Sequence, residues 1–440
     1  MFSFFKKEMS SVGTVLFRGS LAPRVENFGR LRSHGIDMDL AGNAGPDMHW
    51  RLILRHPKWG EAELVCPRGS IVPPSELIDM ASSLSKREKD AARAGGCGVS
   101  VKVGANAKYL LRDRKQLLRY MSAIMGEDGV AAIDLGSELF WSREALGDEL
   151  AHDADLDVEA LYCLHSVIPD DQALEENPSV EWLHTHGLAN IGTFDFDILR
   201  PSSGVMANAS DVTRTIAFAI LTESVSMTET KFQFSHPGGI VSFVPADVFD
   251  RKASPEDVKA RGGPQSGHVR DRVVLCEPEG GLLSFLSRSV RPSKFLSGPI
   301  PENPVFLLTN AMTEHMAERA RDTLEVFKRL SEEFKDLEPG VLVKIGYPTD
   351  DESSREHVWF EVHGFQGDKI EATCVNQPYH VAALSMNQRG LHPVAWVTDW
   401  TIITPVGTIH PRFQGVARAI RENRDQILDL LRKSKVHGNS

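Results

Sequence analysis

The sequence predicts an α+β protein of two or three mixed modules whose sheets are largely antiparallel. Short apolar runs rich in β-branched and aromatic residues alternate with longer runs in which apolar residues recur every three or four positions. The length, 440 residues, is about three times that of an ordinary domain. We therefore predict an α/β region at 1–150, an α+β region at 151–310, and a linking helix with a strand-rich domain at 311–440.

The first region combines short predicted strands with amphipathic helices. Its strands are predicted at 13–17, 50–54, 62–66, 99–103 and 130–135. Apolar residues at helical spacing predict a helix at 108–125, and the pair Pro73-Pro74 favours the start of another at 75–93. This mixture predicts a module in which helices cover a sheet.

The other two regions continue the same alternation. Strands are predicted at 161–168, 194–199, 240–244 and 273–276, with a largely buried helix at 209–225. Helical spacing resumes at Asn310, a residue that favours a helix start, and Pro339 with Gly340 ends it. A last amphipathic helix is predicted at 413–432, so that the final domain is a strand set closed by a C-terminal helix.

Charge and cysteine content bound the class of function. The net charge is −11, which argues against nonspecific binding of nucleic acid. A basic block at 86–119 precedes an acidic block at 127–181, which fits an acidic face for a basic protein partner, a basic strip that touches RNA, or two solvated surfaces. No apolar run reaches the roughly 20 residues of a membrane span, and the five cysteines include no Cys-x-x-Cys pair. We expect a cytoplasmic protein with no membrane contact.

A series of residues near the C-terminus follows a specific order and spacing. They are Lys344, Glu356, His357, Trp359, Asn376, Pro378, Asp399 and Trp400. The series resembles the YegJ-like bacterial domain of unknown function, DUF2314, over residues 341–403. The resemblance implies a small α+β domain that occurs with other modules, and it implies no activity.

The same residues give a candidate surface for a ligand or partner. Along the predicted strand, His357 and Trp359 share one face while Val358 and Phe360 share the other. Asp399 and Trp400 fit either a contact pair for a ligand or a buried Trp beside a turn-capping carboxylate. The candidate surface consists of Trp182, His357, Trp359, Asn376, Asp399 and Trp400.

The sharpest polar cluster lies in the middle region. His184 and His186 are spaced i and i+2 within Trp-Leu-His-Thr-His-Gly-Leu, and Asp195 and Asp197 repeat the spacing about ten residues later. Residues at i and i+2 of a strand point to one face, so a hairpin could bring four metal ligands together. The alternatives are a polar site without metal and a tight turn whose histidines bind backbone carbonyls. The string resembles one in DUF4026, an uncharacterised companion domain, loosely over 1–310.

Two functions remain open at this stage. The first is a binding or regulatory protein that acts through a protein-interaction surface, without catalysis and without a cofactor. The second is a metal-dependent hydrolase, with a divalent ion such as zinc held by His184, His186, Asp195 and Asp197. A Cys163–His165 pair fits a core histidine better than a nucleophile, and no Gly-x-Ser-x-Gly or His-Glu-x-x-His motif is present. We therefore expect binding rather than catalysis.

Overall fold

The computed structural model describes most of the chain, and the contacts within it divide it into two compact units. The described residues are 9–19, 22–42, 45–106, 109–169, 179–222, 225–234, 239–263, 268, 270–278, 289–299, 310–412 and 415–438. The first unit comprises Met1–Ser142 and Leu156–Leu308, and the second comprises Arg143–Asp155 and Thr309–Ser440. The predicted regions 1–150 and 151–310 thus lie mainly in the first unit.

The strands and helices follow one another along the chain. The strands are β1 (Met9–Phe17), β2 (Asp37–Leu40), β3 (Met48–His56), β4 (Gly60–Pro67), β5 (Cys97–Ala105), β6 (Gly129–Asp134), β7 (Leu139–Trp141), β8 (Cys163–Val167), β9 (Trp182–His186), β10 (Asp195–Leu199), β11 (Phe232–Gln233), β12 (Ile240–Pro245), β13 (Arg272–Cys276), β14 (Gly340–Pro348), β15 (Arg355–Gln366), β16 (Lys369–Cys374), β17 (Arg389–Pro393), β18 (Val397–Thr404) and β19 (Gly407–Ile409). The helices are α1 (Ser75–Met80), α2 (Lys86–Ala94), α3 (Leu110–Met125), α4 (Arg143–Leu150), α5 (Ser203–Ala207), α6 (Ala209–Leu221), α7 (Ala246–Lys252), α8 (Pro255–Ala260), α9 (Lys294–Ser297), α10 (Asn310–Asp322), α11 (Leu324–Glu333) and α12 (Gly415–Gly438).

Two sheets organise the first unit. One has the order β2-β3-β4-β5-β1-β6-β7, with each neighbouring pair antiparallel. The other has the order β11-β12-β13-β10-β9-β8, in which β10 and β13 are parallel and the other pairs antiparallel. The apolar face of α3, with Leu117, Leu118, Met121 and Ile124 wholly buried, packs against β1 and β5. The predicted amphipathic helix at 108–125 is therefore confirmed from Leu110 onward, and Lys108 lies outside the described residues.

One helix predicted as continuous is interrupted. The predicted helix at 75–93 forms as α1 and α2, separated by residues 81–85. Ser85 accepts a hydrogen bond from the Glu88 backbone N–H, and the Glu88 carboxylate accepts one from the Ser85 backbone N–H in return. This capping box starts a new helix where the apolar spacing alone predicts continuity.

The second unit is an antiparallel sheet with helices packed on one face. Its sheet has the order β17-β16-β15-β14-β18-β19. Side chains of α10, α11 and α12 share a core with one face of this sheet. Trp400 of β18 is wholly buried there, stacks on the Phe327 ring at 5.1 Å, and donates an indole hydrogen bond of 2.9 Å to the Thr323 hydroxyl. The α+β class and the strand-rich domain closed by a C-terminal helix are confirmed, with Phe413 outside the described residues.

Ion pairs explain why α4 belongs to the second unit. The buried Arg319 guanidinium of α10 binds the Glu149 carboxylate at 2.9 Å and the Asp155 carbonyl at 2.6 Å. Arg421 of α12 pairs with Glu144 of the same segment. These bonds join residues that are far apart in sequence. The composition of α4 therefore does not predict which unit the helix belongs to.

No helix within the described ranges combines the length and the apolar character that crossing a membrane requires.

Candidate metal centre

The candidate centre lies on one face of the β8–β9 ladder. In the antiparallel register, Cys163 is directly opposite His186, and His165 is directly opposite His184. Opposite residues of an antiparallel pair share a face, and so do residues at i and i+2 of one strand. These four side chains, which we call the ladder square, therefore project together from the sheet.

Three imidazoles of the ladder square have the spacing of a metal site. One ligand nitrogen each of His165, His184 and His186 lies within 4.8 Å of the others. Their ring centroids are 4.8 to 5.3 Å apart. Bonds of about 2.0–2.1 Å from a tetrahedral zinc ion place two nitrogens about 3.3 Å apart. Small rotations of the three rings would bring the nitrogens to that separation.

The Glu138 carboxylate approaches the His165 imidazole from the turn between β6 and β7. The Glu138 Oε2 atom lies 3.0 Å from His165 Nε2, and Cys163 Sγ lies 3.2 Å from that nitrogen. Glu138 has a left-handed backbone, with φ of 57°, just before β7. The turn is held by Asp134, whose Oδ1 atom accepts the backbone N–H of Gly136 at 2.8 Å. The structure therefore adds an oxygen and a sulfur donor beside His165, and these two donors form with His165 a second group whose ligand atoms lie within 4.8 Å of one another.

A fourth histidine extends the cluster. His268 Nε2 lies 3.2 Å from His186 Nε2, and the two ring centroids are 4.8 Å apart. The His268 carbonyl accepts a hydrogen bond from the wholly buried Arg261 guanidinium. This guanidinium also bonds Asp197 and Asp250, so it fixes the backbone that carries His268.

The two predicted aspartate ligands bind other partners. Asp197 is directly opposite His184 in the β9–β10 register, but its carboxylate accepts hydrogen bonds from Arg261 Nε at 2.7 Å and Arg272 Nη1 at 2.5 Å. Both arginines and Asp197 are buried, with at most 3% of each residue exposed. The Asp197 carboxylate thus binds two guanidiniums, while the imidazole of His184 opposite it lies beside His165.

Asp195 holds the turn that follows β9. Its carboxylate accepts the Thr185 hydroxyl at 2.9 Å and the Leu188 backbone N–H at 3.2 Å. Burial raises the pKa of Asp195, and the nearby Arg272 opposes that rise. Gly187 has φ of 132°, and a Cβ there would lie 2.2 Å from the Leu161 carbonyl oxygen, so only glycine fits. The string after His186 is therefore a structural turn held by Asp195, whereas the two histidines before it lie beside other imidazoles.

Burial opposes protonation of His184 and His186. It lowers the pKa of His184 to about 2 and that of His186 to about 4, and the positive charge of Arg272 adds to both effects. Burial also raises the pKa of the Cys163 thiol. For Glu138, burial acts to raise the pKa, but the contact with His165 and the other nearby histidines leaves it lowered on balance. At neutral pH His184 and His186 are therefore neutral, and a neutral imidazole has a nitrogen lone pair that can bind a cation.

The depressed histidine pKa values predict that the metal-free protein is acid-labile. The unfolded chain binds protons below about pH 6.5, whereas folded His184 and His186 resist them down to about pH 2 and 4. The contribution of these two histidines to the free energy of unfolding is therefore constant above about pH 6.5, and protonation of the unfolded chain lowers that free energy as the pH falls. We expect His184 alone to cost about 2 kcal/mol at pH 5. Urea unfolding at pH 7 and pH 5 measures this loss of stability. In His184→Phe, which keeps an aromatic ring but cannot bind a proton, the loss between the two pH values should be about 2 kcal/mol smaller. An equal loss in the two proteins would contradict the lowered pKa of His184.

The residues of the predicted partner surface divide into two groups. His357, Trp359 and Asp399 are half-buried and Asn376 is exposed. The Lys344 ammonium lies 5.2 Å from the centre of the Trp359 ring. Val358 and Phe360 are at most 1% exposed, so the predicted alternation of faces along β15 is confirmed.

The other two members of that surface are buried. Trp400 is 0% exposed and Trp182 is 4% exposed. Trp182 stacks on His184 with ring centroids 3.8 Å apart, and so restrains the imidazole. Asp399 accepts the Trp400 backbone N–H at 2.9 Å, which is the alternative of a buried Trp beside a capping carboxylate. Neither Trp offers a surface to a partner.

Sequence reasoning leaves four members of the cluster outside the predicted metal site. Cys163 and His165 show the i, i+2 spacing of the later histidine pair, and that repeated spacing is a signal that pairs the two strands. Glu138 and His268 carry no such signal, because each comes from a connecting segment whose position depends on the whole unit.

A family comparison covers the sheet of the second unit with α10 and α11, and it leaves the histidine cluster unmatched. Residues 310–410 match the family described as "Uncharacterized protein conserved in bacteria (DUF2314)". The predicted DUF2314 resemblance is confirmed over this range. No curated protein and no solved structure matches the chain. The looser DUF4026 resemblance of residues 1–310 stays a prediction.

Proposed function

We propose that the chain is a metal-binding protein whose first unit holds one divalent transition-metal ion on His165, His184 and His186. The observation that carries the proposal is the convergence of three imidazoles, with ligand atoms within 4.8 Å, on two neighbouring strands. Strands of one ladder hold their side chains in fixed register, so the site needs little ordering when an ion binds.

The donor atoms favour a borderline ion. Imidazole suits zinc, copper, nickel and iron, whereas magnesium and calcium take oxygen ligands. The Cys163 thiol beside His165 adds to the preference for zinc or another thiophilic ion. Zinc is the ion to test first.

The role we propose is binding or regulation in the bacterial cytoplasm. The five cysteines are free, which suits a reducing compartment. The DUF2314 sheet leaves Trp359 and His357 half-exposed on the face away from its core, which supports a protein partner at that face. The net charge of −11 favours a basic partner over nucleic acid.

Metal content and affinity test the proposal. We expect purified protein to bind about one equivalent of zinc, and each of His165→Ala, His184→Ala and His186→Ala to weaken binding by about 100-fold or more. His49→Ala, which removes an exposed histidine from β3, is the matched control and should bind like the wild type. Zinc titration against a competing chelator, with circular dichroism to check folding, gives the affinities. A wild type that does not bind zinc, or alanine variants that bind it normally, would refute the site.

Hydrolysis is the second candidate function, and Glu138 is the observation that favours it. If the three histidines leave one position for water, the Glu138 carboxylate beside His165 can accept a proton from that water. Zinc-loaded protein would then hydrolyse an activated ester or phosphodiester, and Glu138→Gln would retain zinc but lose at least about tenfold in rate. This function would be excluded if Glu138→Gln hydrolysed the substrate as fast as the wild type, or if zinc-free wild type were as fast as the zinc-loaded protein.

A further inference from the structure

We infer that Cys163 is the fourth ligand of the ion, so that one thiolate and three imidazoles form a closed site on the ladder square. This inference rests on the proposed function, because it specifies how the ion held by His165, His184 and His186 completes its coordination. A fourth protein ligand would make the site structural or regulatory, because a catalytic site keeps one coordination position open for water.

The position of the sulfur carries the inference. Cys163 is directly opposite His186 and two residues before His165 on the same strand, so it is the fourth corner of the square. Its Sγ atom lies 3.2 Å from His165 Nε2. A tetrahedral zinc ion, with bonds of about 2.3 Å to sulfur and about 2.05 Å to nitrogen, places these two atoms about 3.6 Å apart. The observed separation is within a small rotation of that value.

The surroundings point to a missing partner within the square. His184 is only 3% exposed, and its Nδ1 atom has no hydrogen-bond partner among the described residues. A buried ring nitrogen without a partner is costly, and a bound ion on this ring would give one of its two nitrogens a bond. This observation is independent of the cysteine.

Glu138 is the rival for the fourth position. Its carboxylate also approaches His165, at 3.0 Å, but it comes from a turn of the other sheet, whereas Cys163 shares the rigid ladder with the three histidines. Cysteine and histidine are the usual ligands of closed zinc sites. We therefore assign the position to sulfur and leave Glu138 as a carboxylate neighbour.

Binding of the Cys163 thiolate to the ion changes no oxidation state. The S–H bond of Cys163 breaks, a bond forms between sulfur and the ion, and the proton passes to solvent. With four protein ligands the ion has no water to activate. The site would then hold β8 and β9 together and would release its ion when the thiol is blocked.

Cobalt substitution distinguishes sulfur from oxygen at this position. Co²⁺ replaces zinc in such sites, and a thiolate ligand gives an intense charge-transfer band in the near ultraviolet. We expect metal-free full-length protein to develop this band as it binds one equivalent of Co²⁺. Cys163→Ser should lose the band and bind Co²⁺ about 10- to 100-fold more weakly. Cys97→Ser is the matched control, because Cys97 is a buried strand cysteine of the same unit whose Sγ contacts the Gly19 carbonyl at 3.3 Å; it should keep the band.

The outcomes separate the two proposals. Co²⁺ bound to the wild type without a thiolate band, and with affinity lowered by Glu138→Gln, would overturn the inference and assign the position to oxygen. A band that survives in Cys163→Ser would also overturn it. Failure of the wild type to bind either Co²⁺ or zinc would instead refute the metal site itself. A wild-type spectrum without the thiolate band overturns the inference by itself, so the inference stays falsifiable even if Cys163→Ser misfolds.

Discussion

Replacement of Trp400 by alanine should lower the free energy of unfolding of the second unit by about 3 to 5 kcal/mol. The side chain is wholly buried, stacks on Phe327, and donates its indole N–H to Thr323. The substitution leaves a large cavity in the core and removes that hydrogen bond. Urea unfolding of the full chain, followed by near-ultraviolet circular dichroism, measures the loss.

Trp359→Ala is the matched comparison, because the two tryptophans lie on opposite faces of one sheet. Trp359 is half-buried, and its described partner is the Lys344 ammonium above the ring. We expect a loss of about 1 kcal/mol, the usual worth of an exposed cation–π contact with some apolar burial. A loss at Trp359 equal to or greater than that at Trp400 would contradict the face assignment and support a packing role for the outer face.

Local sequence patterns predict the parts of the fold that depend on neighbours along the chain. Alternation along β15 is enough to separate Val358 and Phe360 from His357 and Trp359, because side chains of a strand alternate between faces. Helical spacing is likewise enough for α3. The predicted helix at 75–93 fails at Ser85, where a local hydrogen-bond pattern outweighs apolar spacing.

The candidate centre is only half predictable for the same physical reason. His184 and His186 share a face by spacing alone, and this is visible in the sequence. Their partners depend on which strands become neighbours: β8 brings Cys163 and His165, and the parallel pairing of β10 with β13 places Arg272 opposite Asp195. Non-local strand pairing has no signature within one segment, so the arginines that bind the aspartates are not foreseen.

Replacement of Asp197 by asparagine should lower the free energy of unfolding of the first unit by about 3 to 5 kcal/mol. Asp197 is wholly buried between the guanidiniums of Arg261 and Arg272, at 2.7 and 2.5 Å. The amide leaves buried positive charge without its counter-charge. Arg261 keeps its ion pair with Asp250, whereas the remaining carboxylate beside Arg272 among the described residues is that of Asp195, at 3.9 Å. Loss of one partner of a buried pair is costly even where the intact pair adds little.

Asp247→Asn is the matched control, since Asp247 pairs with Arg251 at 2.9 Å on the surface, where both side chains are at least half exposed. We expect that change to cost less than about 0.5 kcal/mol.

A chelator then decides between the two roles of Asp197. If Asp197 is a metal ligand, as its spacing from His184 predicts, its replacement should lower stability only when the ion is present. If it neutralises the two arginines, the loss should be the same with and without chelator, and zinc affinity should fall only modestly because the freed charge of Arg272 repels the cation. The hydrogen bonds of Asp197 favour the second outcome, and a loss that vanishes in chelator would overturn it.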